Sequence, residues 1–294
     1  MKGLFIINGF INSNKFNEMY DMLIHAFKFN HIQLDIMTND QVLFCYQNFD
    51  NNTYDFVLFW DKDIMLAQLL EAKGLRLINS SDAINFCDDK RLTVTKLQNS
   101  HIKMPKSIIA PFTYNNIGYT NLDFLDEVEK VLGYPLVLKV AKSSFGMGVF
   151  LVDDKKTLKE LTIKYFEQGI LYQEYIASSY GKDVRIQIVN NEVVACVLRI
   201  NDNDFRSNVT NGGKMFNFNP NDQFKDMATD VCQILGVKIG GVDIMFDENN
   251  NPIFCEINSN AHFKNLYEAT KINVAELIVK YIVSEFGNIN NIVL

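Results

Sequence analysis

Two short apolar runs, Leu4 to Ile7 and Phe56 to Trp60, are built of branched and aromatic residues and predict buried strands. Between them, Lys15 to Phe29 repeats its apolar positions at helical spacing, and Gln33 to Met37 predicts another strand. Ile64 to Lys73 predicts a helix closed by Gly74, and residues 74–79 add one more strand. Strand and helix signals that alternate in this way predict a small α/β unit with a mostly parallel sheet over residues 1–84. A serine pair at Ser80 and Ser81 then opens a long helical stretch that runs to Asn99 and is broken by the segment from His101 to Ser107.

Beyond that border the pattern changes. A helix is predicted over Asn121 to Leu132, a strand over Leu136 to Ala141, a glycine-rich loop, a strand over Val149 to Val152 and a helix over Lys155 to Glu167. Strand-rich sequence follows, and a helix over Val274 to Tyr281 ends the pattern. The reading divides the chain into residues 1–84, 85–172 and 173–294.

Two hairpins beyond residue 172 carry charged residues. In the second, Glu248 to Asn251 form the turn before Pro252, and pairing symmetric about Asn249 and Asn250 sets Asp243 opposite Glu256. Alternation then gathers Val242, Ile244, Phe246, Ile253, Cys255 and Ile257 on one apolar face, and Asp243, Glu256 and Asn258 on the other. Opposed β-carbons are roughly 5 Å apart. Two carboxylates that close repel unless a cation lies between them, and magnesium takes hard oxygen ligands of this kind; an ordinary solvated hairpin face is the alternative. In the first hairpin, Asp183 and Arg185 share a strand face as a ligand site or as a surface ion pair. Symmetric pairing about Asn190 and Asn191 puts Arg199 on the opposite face from Arg185 unless a bulge intervenes.

Composition narrows the classes. A chain of 294 residues with 48% hydrophobic content can fill sizeable cores. A net charge of −7 argues against a general nucleic-acid binder. Its five cysteines are scattered and never spaced as C-x-x-C, which suggests neither a disulfide framework nor a zinc site, and points to the cytosol. No apolar run approaches the roughly 20 residues of a membrane span, and the N-terminal stretch lacks the pattern of a signal peptide.

Further chemistry sits in ordered segments. Lys139 lies on a strand that leads into a loop with Ser143, Ser144, Gly146 and Gly148 and a returning strand, a flap whose backbone N–H groups can approach phosphate, or a plain hairpin with glycine turns. Gln173, Glu174, Tyr175 and Ile176 form a short extended piece, and Arg199 and Arg206 flank a polar loop that ends in two glycines.

Taken in order, the VLKV and SSFGMGV segments, QEYI, GKDVRI, LRINDNDFRSNVTNGG and GVDIMF with FCEINSN resemble the ATP-grasp superfamily, and within it the RimK-like α-L-glutamate ligase family. The resemblance covers roughly residues 85 to 283. It implies an α+β fold in which two subdomains grip ATP, preceded by a small α/β domain. It further implies that Lys90 and Lys139 hold the α- and β-phosphates, that the loop from Ser143 to Gly148 folds over them, that Gln173 to Ile176 is the adenine hinge, and that Asp183 is the ribose-side contact. Asp243, Glu256 and Asn258 match the ligands of two magnesium ions, with manganese as a substitute. Arg185, Arg199 and Arg206 are then the candidates to stabilise charge on an acyl phosphate or its tetrahedral adduct. The implied reaction joins an amino-acid or peptide carboxylate to an amine through an acyl phosphate, releasing ADP, with glutamate or another amino acid as the group added. A nucleotide-binding regulatory module without ligation is the alternative, and a small-molecule kinase a third reading. Nucleic-acid and membrane partners are not expected, and homo-oligomerisation is left open. Similar proteins carry a proline and a glycine where this chain has Ala261 to Lys264. His262 in that stretch is a structural residue or a substrate contact, and the sequence permits the stretches from Asn8 to Phe16 and from Phe59 to Asp63 to line the cleft from the first domain.

Overall fold

The first apolar runs form a parallel sheet of β1 (Lys2–Ile7), β2 (Gln33–Thr38), β3 (Phe56–Trp60) and β4 (Leu77–Ile78), in the order β2-β1-β3-β4. The structure is a computed structural model that describes residues 1–11 and 13–287. Helices α1 (Asn14–Phe29), α2 (Asn39–Cys45) and α3 (Ile64–Ala72) flank this sheet. Every side chain of β3 is buried, as its unbroken apolar run requires.

The stretch expected to be one long helix is two, α4 (Ser81–Asp88) and α5 (Lys90–Leu97). Asp89 makes the break: it adopts an extended ψ of 106°, and its carboxylate accepts from the Arg91 N–H at 3.0 Å, capping the second helix.

The middle sheet is antiparallel, in the order β5-β8-β6-β7, from β5 (Ser107–Ile109), β6 (Leu136–Val140), β7 (Val149–Val152) and β8 (Ile170–Glu174). It packs with α6 (Phe124–Leu132) and α7 (Lys155–Tyr165) around a separate core of Leu125, Leu138, Leu158 and Tyr172.

The last sheet has five strands in the order β11-β10-β9-β12-β13, from β9 (Lys182–Val189), β10 (Glu192–Ile200), β11 (Lys214–Asn217), β12 (Ile239–Phe246) and β13 (Pro252–Asn258). One face packs on α4, α5 and α8 (Asp222–Leu235). The apolar end of the other face shares a core with α1, the first sheet, α9 (Lys264–Thr270) and α10 (Val274–Phe286). Helix α8 is not among the sequence-predicted elements, although Phe224, Met227, Ala228, Val231, Cys232 and Leu235 recur at helical spacing and are its buried residues. Residues 84 and 172, the borders read from the sequence, lie inside α4 and β8. Among the described residues no helix is long and apolar enough to cross a membrane.

Candidate functional site

Two bulges decide which side chains reach the cleft. Asn190 and Asn191, both at positive φ, turn β9 into β10 as expected, but the register then shifts between Val193 and Ala195. The extra residue brings Arg199 opposite Asp183, on the face that also carries Arg185. All three arginine candidates therefore stay near the cleft, and the open question about Arg199 closes in favour of a bulge. In the second hairpin Asp243 pairs with Glu256 as expected, but the register shifts next to it and Ile244 pairs with Phe254. The apolar face expected for this hairpin is corrected accordingly: Phe254 joins the core with Val242, Ile244, Phe246 and Ile257, while Cys255 lines the cleft beside Glu256.

Along that face, β9 runs from buried Val189 through Gln187 and Arg185 to Asp183, so one strand passes from core to site. Arg185 donates to both oxygens of Asp243, at 2.6 and 2.7 Å. Arg199 clamps Asp183 with two nitrogens and also reaches Asp243 at 2.8 Å. Burial works to raise the Asp243 carboxyl, but the two guanidiniums outweigh it and hold the group down at about 2. The cation between the carboxylates, required by the sequence argument, is thus supplied on one side by arginine.

A cavity of about 90 Å³ lies between the middle and last sheets, lined by Lys139, Gln173 to Ile176, Asp183, Arg206 and Glu256. Lys139 is buried and within 4.0 Å of the Cys255 sulfur. Lys90 is also buried and donates to the carbonyl and hydroxyl of Ser143, at 2.9 and 3.3 Å. Burial, with the neighbouring Lys139 and Lys62, lowers its ammonium below the usual range, against the pull of Glu256. Neither lysine has a carboxylate in ion-pair contact among the described residues, which leaves positive charge in a desolvated cleft and fits a polyphosphate.

The glycine-rich loop is tied down from two directions. Arg206 donates to the Gly146 carbonyl at 2.7 Å while Asp204 holds its other nitrogens. From the first domain, Lys62 reaches the Ser144 hydroxyl at 3.3 Å and Asp88 at 2.7 Å. Gly146 has a φ of +73°, and at Gly148 a Cβ would sit 2.6 Å from that of Ser143. Gln173 donates to Ser107 at 2.9 Å, and the Glu174 carboxylate accepts from the Lys106 N–H at 3.1 Å, so the extended piece is pinned to β5 and its approach.

For a metal, the donor set of Glu256, Asn258 and Asp243 is all oxygen, which suits a hard cation. Glu256 and Asn258 are in mutual contact at 3.4 Å and have no cation in ion-pair contact among the described residues, whereas the Asp243 oxygens are occupied by guanidinium N–H groups. Among the described residues no three of His, Cys, Asp or Glu converge as a metal cluster.

A second cavity, of about 280 Å³, joins the first across Glu256 and opens between the last sheet and the first domain. The stretches from Asn8 and from Phe59 do line it, through Asn8, Ile11, Lys15, Phe16, Trp60, Asp61 and Lys62; Asn12 lies outside the described residues. His262 lines it too, and its Nε2 donates to the Lys15 carbonyl at 2.7 Å, stitching this loop to α1. Sequence reasoning passed over Lys15, Asp61 and Lys62 as individual residues; the polar triplet after the apolar run of β3 was the signal.

A profile of the RimK-like ATP-grasp domain matches residues 87–282. An uncharacterized protein of Mycoplasma pneumoniae is 33% identical over 90% of this chain and 92% of its own length. Beta-citrylglutamate synthase B of Danio rerio is 34% identical over 76% of this chain, which spans 54% of that protein. Among solved structures, D-alanine–D-alanine ligase from Bacillus anthracis, complexed with ATP, superposes with a TM-score of 0.74 at 17% identity over 97% of both chains.

Proposed function

Because this chain belongs to the RimK-like ATP-grasp family, we propose that it is an ATP-dependent ligase that joins a carboxylate to an amine and releases ADP and phosphate. The observation that carries the reading is the position of Glu256, which lines both the lysine-rich cleft and the larger cavity beside the first domain. A nucleotide whose phosphates meet Lys90 and Lys139 then points its terminal phosphate at a separate substrate chamber.

In this reading Gln173 to Ile176 receive the adenine, Asp183 stands on the ribose side, and the loop from Ser143 to Gly148 covers the phosphates. The substrate carboxylate attacks the terminal phosphorus, the amine displaces phosphate from the acyl phosphate, and positioning with charge neutralisation does most of the work. Arg185, Arg199 and Arg206 are the guanidiniums near the developing charge. Glu256 and Asn258 are the side chains that would hold magnesium, or manganese in its place; Asp243 joins them on giving up a guanidinium bond. Bound there, the metal would offset negative charge on the phosphates.

Glutamate is the amine donor we assign. The similar proteins include beta-citrylglutamate synthase B, N-acetylaspartylglutamate synthase A and a probable alpha-L-glutamate ligase, whose names share that residue. The test is ADP release from ATP, L-glutamate and a panel of carboxylates, with the amide identified by mass. Turnover should stop with EDTA; absence of any glutamate-containing amide would remove this assignment, and metal-independent turnover would remove the site.

A further inference from the structure

The first sheet changes direction at β1 and β3. These neighbours connect to opposite flanks, β1 to β2 and β3 to β4. In open parallel sheets such a switch point leaves a crevice beyond the carboxyl ends of the strands, where ligands bind. Here that crevice holds Asn8, the residue after β1, and Asp61, the residue after β3, and it opens into the larger cavity.

Asp61 is 6% exposed. Its carboxylate accepts from the Asn8 amide at 3.2 and 3.3 Å and from the Lys62 N–H at 2.6 Å, and no cation pairs with it among the described residues. A buried carboxylate satisfied only by neutral donors is short of charge compensation, and burial accordingly raises its proton affinity. Two more groups lining the same cavity are buried without a partner among the described residues: the Trp60 indole N–H, a donor, and the Asn260 side-chain oxygen, an acceptor. Lys15 also lines it, with no carboxylate in ion-pair contact among the described residues, and its ammonium is depressed by burial and by the Arg185 charge.

Unmet negative and acceptor groups together with unmet positive and donor groups describe a zwitterion. We infer that this crevice is the binding site of the amino-acid substrate, with Asp61, positioned by Asn8 and helped by Asn260, taking the α-ammonium, and Lys15 and Trp60 taking a carboxylate. The inference rests on the ligase reading for its substrate, while its binding test does not need turnover.

The full chain, with magnesium and a nonhydrolysable ATP analogue, is titrated calorimetrically with each of the twenty L-α-amino acids. The tightest binder is then compared with its counterpart lacking the amine, which is glutarate if the binder is L-glutamate. The wild type should prefer the amine-bearing ligand by roughly 10- to 100-fold. Asp61→Asn should bring that preference within about threefold, while Lys15→Met should weaken both ligands and leave the ratio alone. Affinity for the ATP analogue reports folding. Should Asp61→Asn lose that affinity, the ratio is read from Asn260→Ala, which should lower it at least about threefold. A wild type that binds no amino acid, or a preference unchanged in the informative variant, overturns the inference. Amino-acid binding without ADP release on any carboxylate would instead overturn the ligase reading and leave the ratio to decide this one.

Discussion

Arg199 on β10 and Asp243 on β12 stand on strands separated by β9, yet their side chains meet at 2.8 Å across it. With Arg185 between them, the network couples three strands in a region almost closed to solvent. Removing one charge leaves the others buried and uncompensated. Asp243→Asn should lower unfolding free energy by about 3 to 5 kcal/mol in metal-free buffer, measured by urea denaturation. A loss below about 1 kcal/mol would mean that the arginines relax outward.

Among the described residues Lys139 has no competing carboxylate in ion-pair contact, so its role should appear in binding. Lys139→Ala should weaken a nonhydrolysable ATP analogue by roughly 10- to 100-fold, read calorimetrically. Unchanged affinity would assign the lysine to the sheet alone.

Glu256 and Arg206 should fail differently. Glu256→Gln removes charge from the pair proposed to hold the metal, so phosphoryl transfer should fall on the order of 100-fold and hydroxylamine should trap no hydroxamate. Arg206 fastens Gly146, so Arg206→Ala should raise the KM for ATP about tenfold through the looser loop while hydroxamate still forms at saturating ATP. Abundant trapping by Glu256→Gln would refute its assignment.

His262 gives a pH signature. Burial lowers its imidazole below the ordinary histidine range, against the opposing bond to the Lys15 carbonyl. The unfolded chain therefore takes up the proton first. The stability this histidine contributes is complete above the unfolded value and is lost as pH falls through the window between that value and the lower folded one. The difference in urea midpoint between wild type and His262→Gln should shrink from about pH 7.5 to about pH 5. A constant difference would show that the ring remains solvated.

The sequence signals and the final geometry part company at the bulges. Asp243 and Glu256 were found opposite each other because the asparagine turn sets the register. The step after them was hidden because Ile253, Phe254 and Cys255 are all apolar, and no polar residue marks which of them turns outward. At Val193, Val194 and Ala195 the same uniformity conceals the bulge that delivers Arg199. The break at Asp89 was missed, because an aspartate inside a helical stretch reads as an exposed residue until its carboxylate is seen to cap Arg91. The Asp61 crevice was harder: a strand-end acid says nothing of its burial until the neighbouring strand supplies Asn8.

Helix α10 packs against α1 and the first sheet. It fills the core that Phe5, Leu23, Phe27 and Phe56 share with Val197 and Ile239 of the last sheet, whereas the middle sheet keeps a core to itself. Mechanically this makes two bodies of three sheets. The Asp61 crevice and Glu256 belong to one body, while the phosphate loop belongs to the other and is fastened to the first through Lys62 and Arg206. A fragment ending at residue 84 would carry half of a shared interior into water and should aggregate.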